Sequence, residues 1–146
     1  MSDHQFIKHY LQDFIELLKP NDPLIEELIK VRNLLLEVSS ENKNVLIFGN
    51  GGSATDSDHF ATELLGRYLL ERQSLAAISI TNPATITAIG NDYGFENIFS
   101  RQCESLVNEN DVVIAISTSG NSLNVLEGIK LSKKKNAKTI AITGNN

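Results

Sequence analysis

The sequence predicts an α/β protein built on a doubly wound parallel sheet, preceded by two helices. Three observations carry this. Four short, nearly continuous apolar runs recur along the chain, the stretches between them are long enough for crossover helices, and the turns after the first and third runs are rich in glycine and hydroxyls. With 146 residues and 41% hydrophobic content the chain can fill one core, so a single domain over residues 1–146 is expected.

Phe6, Tyr10, Phe14, Leu17 and Leu18 recur at three- and four-residue spacing until Pro20, which predicts an amphipathic helix over 6–18. Asp22-Pro23 reads as a cap followed by proline at the first helical position. It opens a second helix through Leu24, Leu28, Val31, Leu35 and Val38, which Ser39-Ser40-Glu41-Asn42 ends. Residues 1–40 thus form a helical pair ahead of an α/β core over 44–146. The rhythm then changes: Val45-Leu46-Ile47-Phe48 is a continuous apolar run entering Gly49-Asn50-Gly51-Gly52-Ser53, the pattern of a strand buried on both faces. Ala76–Ile80, Val112–Ile116 and Thr139–Thr143 repeat it. After the last strand come only Gly144-Asn145-Asn146, with no covering helix. A parallel sheet stopping there leaves an edge and a face to be completed by further chain or by a partner.

Composition excludes several function classes. Thirteen basic against 18 acidic residues give a net charge of -5, which repels nucleic acid and anionic membrane surfaces. The one basic cluster, Lys133 to Lys135, reads as a solvated helix end complementing the helix dipole. A single cysteine, Cys103, rules out an intrachain disulfide and reads as a small buried or interface side chain in a reducing compartment. No leader pattern follows Met1, and no window approaches the ~18 apolar residues of a spanning helix, so a cytoplasmic protein is expected.

In such a fold ligands bind outside the carboxyl ends of the strands. The loop Gly49-Asn50-Gly51-Gly52-Ser53 can bring main-chain N–H groups close to a ligand, but it lacks the nucleotide-binding spacings, so a tight turn and a ligand loop both stand. Ser117-Thr118-Ser119-Gly120-Asn121-Ser122 offers four hydroxyls between a buried strand and the next helix. Capping by Ser119 or Asn121 needs one such residue; four together point to a phosphate cradle. His59 and Glu63, four apart, share a helix face whether they hold zinc or form a surface pair. A carboxylate such as Glu63 near a phosphate cradle also suits the base of an aldose–ketose isomerisation. Arg67 is placed one turn further along the same helix, for phosphate, a substrate hydroxyl or an acidic neighbour. Asn91-Asp92 follows Gly90 in a helix-breaking cluster, as a turn or as a contact to sugar hydroxyls.

These blocks, with His59-Phe60-Ala61-Thr62-Glu63-Leu64, Gly66-Arg67-Tyr68, Gly90-Asn91-Asp92-Tyr93-Gly94-Phe95 and Phe99-Ser100-Arg101, occur in one order that resembles the sugar isomerase (SIS) domain family. Within it the resemblance is to the phosphoheptose isomerases, which convert sedoheptulose 7-phosphate to D-glycero-D-manno-heptose 7-phosphate for lipopolysaccharide or other glycans. The resemblance implies a flavodoxin-like sheet and a homotetramer whose leading helices form a central bundle and whose active sites lie between subunits. It implies that Ser117, Thr118, Ser119 and Ser122 hold phosphate, and that Asn50, Gly51, Gly52, Ser53, Asn91 and Asp92 line the sugar site. His59 and Glu63 become zinc ligands, Glu63 also the proton-transferring base, and Arg67 a supporting residue. The family continues with another strand and a helix whose Gln and His complete the zinc site. The 146-residue chain, lacking these, is expected to hold zinc weakly and not to turn over. The competing class is non-catalytic SIS proteins that sense sugar phosphates or bind a replication initiator; the initiator-binding relatives resemble the chain in its loops but carry Asp in place of Glu63 and lack the Gly90–Phe95 block. A third reading, a SIS enzyme acting on an amino-sugar phosphate, would share the serine loop but not the His59/Glu63 pair.

Overall fold

The computed structural model describes residues 1–144; Asn145 and Asn146, part of the predicted ending, lie outside the described residues. The chain divides into two compact units, Met1–Arg32 and Asn33–Asn146, the break falling inside the second helix rather than after it.

In the first unit, α1 (Asp3–Leu17) begins with a capping box: the Ser2 hydroxyl accepts the Gln5 N–H and the Gln5 side chain accepts the Ser2 N–H. No residue of α1 is buried, and Phe6, Ile7, Tyr10, Leu11, Phe14 and Ile15 are all more than half exposed. Helix α2 (Asp22–Ser40) starts where predicted, but its cap is Asn21, whose side chain accepts the Leu24 N–H at 3.3 Å. Asp22 instead places its charge in the first turn, against the positive end of the helix dipole.

The second unit is a four-stranded parallel sheet, β1 (Val45–Gly49), β2 (Ala77–Ser79), β3 (Val112–Ser117) and β4 (Lys138–Thr143), in the order β2-β1-β3-β4. All three strand pairings are parallel, with Val45 level with Ala77 and Val112, and Val112 level with Lys138. Strand β2 is shorter than its apolar run, although main-chain bonds from Val45 N–H to the Ala76 carbonyl and from Ile80 N–H to the Ile47 carbonyl extend the pairing at both ends.

Side chains of a strand alternate between faces, which explains the continuous apolar runs. Val45, Ile47, Val112 and Ile114 pack with Val38 and Ala61 in one buried cluster. Leu46, Phe48, Val113 and Ala115 pack in another with Phe99, Cys103 and Val125. The end of α2 and α3 (Gly52–Leu65) therefore cover one face, and α5 (Ser100–Leu106) and α6 (Leu123–Lys134) the other, with Ile86 and Ile89 of α4 (Pro83–Tyr93) packed on that second side. Strand β4 pairs only with β3 and is the most exposed strand. Cys103 is buried as expected, and burial pushes its thiol above the ordinary range.

Phe48 and Phe99 stack at 4.7 Å between ring centroids, and α6 reaches this pair only because residue 128 is glycine. A Cβ there would stand 2.8 Å from Phe48 Cζ and 3.1 Å from Phe99 Cβ. Gly128→Ala is therefore expected to destabilise the fold by about 1–3 kcal/mol through overpacking, measured as a lower urea midpoint at unchanged slope. An unaltered midpoint would show that α6 can move off the sheet at no cost.

Candidate active site

The strand order places a topological switch point between β1 and β3, because the chain leaves β1 towards β2 and then returns to β3 on the opposite side. A cleft of about 180 Å³ opens there, lined by Asn50 and Ser53 after β1 and by Ile116, Ser117, Thr118, Ser119 and Ser122 after β3. Gly49 allows the two loops to meet: a Cβ on it would lie 2.6 Å from Ser53 Cβ and 2.7 Å from the Ile116 carbonyl oxygen. Gly51, at φ 55°, turns the chain into α3. Gly120, at φ 65°, turns the serine loop, where its N–H reaches the Ser117 carbonyl at 3.0 Å.

Capping does not account for the hydroxyls. The residue at the start of α6 is Ser122, not Ser119 or Asn121, and its side chain makes no capping bond; its hydroxyl lies 3.3 Å from that of Ser117. Ser119 Oγ instead accepts the Asn121 N–H at 3.2 Å within the turn. Helices α1, α2 and α4 start with side-chain caps, from Ser2, Asn21 and Asn82. Helices α3, α5 and α6 do not, and of these α3 and α6 begin on the loops that line the cleft. Uncapped helix starts beside serine hydroxyls form a setting for a phosphate dianion that needs no Lys or Arg.

Two buried or partly buried polar contacts stiffen this edge of the sheet. Asn50 and Asn124 exchange reciprocal amide bonds of 2.9 Å, locking the β1 loop to the first turn of α6. Thr81 Oγ1 donates to Asp58 of α3, and hydrogen bonds from Ser79 and Thr81 hold the Asp58 carboxyl below its usual range.

His59 and Glu63 share a face of α3, with Nε2 and Oε1 3.1 Å apart and both side chains reachable from solvent. Glu63 lines a separate groove of about 540 Å³, walled mainly by Phe60, Leu64, Tyr68, Leu69 and Leu70. It lies in the last turn of α3, roughly 15 Å along the helix axis from Ser53 at the cleft. Two placements differ from those expected. Helix α3 stops at Leu65 with Gly66 as its cap, so Arg67 lies past the helix, where it pairs with Glu71 at 3.4 Å. Asn91 and Asp92 are not in a turn: they belong to α4, whose end is set by Gly94 at φ 88°, and the Asn91 amide donates to Asp92 at 2.8 Å. A Cβ on Gly90 would make only ordinary contacts, 3.7 Å to Ile98 and 3.9 Å to Phe95, so packing does not demand glycine there.

Residues 9–144 match the SIS domain family. The chain belongs to the SIS-domain family. It is 47% identical over 145 residues to the phosphoheptose isomerase of Helicobacter pylori strain P12, covering 99% of this chain and 76% of that relative. It is 48% identical over 134 residues to phosphoheptose isomerase 1 of Campylobacter jejuni serotype O:2, covering 91% and 72%. Among solved structures, phosphoheptose isomerase GmhA from Neisseria gonorrhoeae superposes with a TM-score of 0.87 at 36% identity, covering 98% of this chain and 75% of that one.

The SIS fold thus brings Asn50, Ser53, Ser117, Thr118, Ser119 and Ser122 together at the cleft, with Gly51 and Gly52 in the adjoining turn. Within one chain His59, Glu63, Arg67, Asn91 and Asp92 do not line that cleft. Sequence reasoning placed Gly49 in the glycine loop without its role in letting the two loops meet, and missed Asn124, Asp58 and Thr81. The role of Gly49 could have been read from its place at the junction of strand and glycine turn; the other three are recognisable only once distant segments are seen to meet.

Proposed function

We propose that this SIS-domain protein is a phosphoheptose isomerase, converting sedoheptulose 7-phosphate to D-glycero-D-manno-heptose 7-phosphate. The identity to phosphoheptose isomerases along nearly the whole chain carries this reading, and the hydroxyl-lined cleft at the switch point supports it. The substrate phosphate sits on the Ser117–Ser122 turn and on the N-terminus of α6, anchoring the end of the sugar remote from the reaction. Glu63 is the base: it takes a proton from C1 of the ketose and returns one at C2, through an enediol. Glu63 lines a groove apart from the serine cleft, and in the proposed enzyme the base and the cleft of one active site come from different copies of the chain.

The apolar face of α1 supports such an assembly. A run of exposed Phe, Tyr, Ile and Leu side chains is what a homo-oligomeric helical bundle buries, and a tetramer is the assembly we propose. Asn91, Asp92 and Arg67, exposed on other elements, then reach substrate across the same boundaries. A cytoplasmic enzyme supplying heptose for lipopolysaccharide or capsule is the setting this implies; no helix among the described residues is long and apolar enough to cross a membrane.

Zinc fits part of this site. The 3.1 Å separation of His59 Nε2 and Glu63 Oε1 suits two positions of a tetrahedral set, and no third acidic, His or Cys side chain joins them among the described residues. In the proposed enzyme these two residues hold the ion, with its other ligands supplied from outside the described residues. When bound, zinc polarises the substrate's carbonyl oxygen. His59→Ala is expected to lower zinc content and activity together; unchanged zinc by metal analysis would leave His59 a structural residue. The reading as a whole is tested in protein of its relatives' full length, of which this chain spans 76% in one case, by assaying sedoheptulose 7-phosphate beside an amino-sugar phosphate. Turnover of the heptulose alone is expected, and turnover of the amino sugar alone would overturn it.

A further inference from the structure

The last-turn carbonyls of a helix need partners from outside it, and many helices obtain them from a glycine in the left-handed conformation. Helix α3 does not: Gly66 has φ −80° and ψ −130°. Its N–H reaches the Thr62 carbonyl at 2.8 Å, which leaves those of Glu63, Leu64 and Leu65. The Arg72 guanidinium takes the first two. One Nη donates to the Glu63 carbonyl at 2.6 Å, and the other donates to the Leu64 carbonyl and to the Gln73 carbonyl, each at 2.9 Å. Leu64 also accepts the Leu75 N–H at 3.1 Å. For the Glu63 carbonyl, Arg72 is the donor in place.

We propose that Arg72 is a positioning residue for Glu63, acting through the main chain of the residue whose side chain does the chemistry. Three features of the geometry support it. The planar fork spans two successive carbonyls, which a lysine ammonium on a flexible stem does not reproduce. Its charge lies at the negative end of the α3 dipole. Because Arg72 follows Tyr68, Leu69 and Leu70 in the chain, its bonds to α3 also tie down the end of the segment that walls the groove Glu63 lines. Releasing it frees both the Cα–Cβ direction of Glu63 and the wall opposite, and a displacement of about 1 Å at a reacting group can cost on the order of 100-fold in rate. The inference rests on Glu63 being the base.

The test is the steady-state kinetics of Arg72→Ala and Arg72→Lys beside Glu63→Gln, with ordinary and C1-deuterated sedoheptulose 7-phosphate. Arg72→Ala is expected to lower kcat about 10- to 100-fold. KM and competitive inhibition by inorganic phosphate should stay within about threefold, because the serine cleft is untouched. The deuterium isotope effect on kcat should rise as proton transfer becomes limiting, and millimolar methylguanidinium should restore part of the rate. Arg72→Lys, which keeps the charge, is expected to fall between wild type and alanine, and it serves if the alanine variant does not fold. A merely structural arginine would lower the amount of active enzyme and leave the isotope effect unchanged. That result, or wild-type kcat in both variants, overturns the inference. If Glu63→Gln is itself fully active, the assignment of the base fails instead, whatever Arg72 does.

Discussion

In protein of its relatives' full length, Glu63→Gln is expected to lower kcat for sedoheptulose 7-phosphate by about 100- to 10,000-fold, the usual worth of a positioned acid–base group, with little change in KM. The amide keeps the size of the side chain but cannot accept the C1 proton. The proposed phosphate contacts at Ser117, Thr118, Ser119 and Ser122 line the cleft at the carboxyl ends of the strands, apart from Glu63, and are untouched by the change. Steady-state kinetics read both parameters. Loss confined to KM would remove Glu63 from proton transfer and make it a substrate-binding group.

The second large effect follows from where these parts sit. If base and cleft belong to different copies, two crippled variants can repair each other. Ser119→Ala/Ser122→Ala removes hydroxyl donors to a charged phosphate, each worth about 1.5–3 kcal/mol, and should be nearly silent at low substrate. Glu63→Gln is silent at any concentration. Co-expressed and purified as mixed oligomers, the two should recover roughly a quarter of wild-type activity, since random mixing gives that share of sites an intact base from one copy and an intact cleft from another. Activity no greater than that of the separate parents would place base and cleft in one chain, and would require α3 to rearrange so that Glu63 approaches the serines.

Much of this architecture was legible in the chain because its signals are local. Val45–Phe48 and Val112–Ile116 are apolar at every position, since each residue meets a helix on one face or the other. The serine-rich turn lining the cleft was legible for the same reason: hydroxyls crowd one strand–helix junction, and a cap would use only one of them. What sequence misplaced were boundaries. Asn21 and Asp22 are both good caps, and only the fold shows that Asn21 accepts the Leu24 N–H. Gly90-Asn91-Asp92 contains poor helix formers, yet Ile86 and Ile89 hold α4 against the core, and tertiary packing outweighs propensity. Arg67 was carried past a helix that ends at Leu65, where the chain leaves for the segment pinned by Arg72. That pinning, like the Asn50–Asn124 pair, depends on residues meeting across the fold and leaves no local pattern to read.

The central claim is that this protein moves a proton between C1 and C2 of a heptose phosphate, and the fate of that proton tests it most directly. Sedoheptulose 7-phosphate incubated with the enzyme in deuterium oxide should yield D-glycero-D-manno-heptose 7-phosphate carrying solvent deuterium at C2, seen as loss of the C2 proton signal by NMR. Glu63→Gln should abolish both the product and the label. A Glu63→Gln variant that still makes the aldose at the wild-type rate, or no conversion by protein of its relatives' full length that holds its metal and its oligomeric state, would contradict the account.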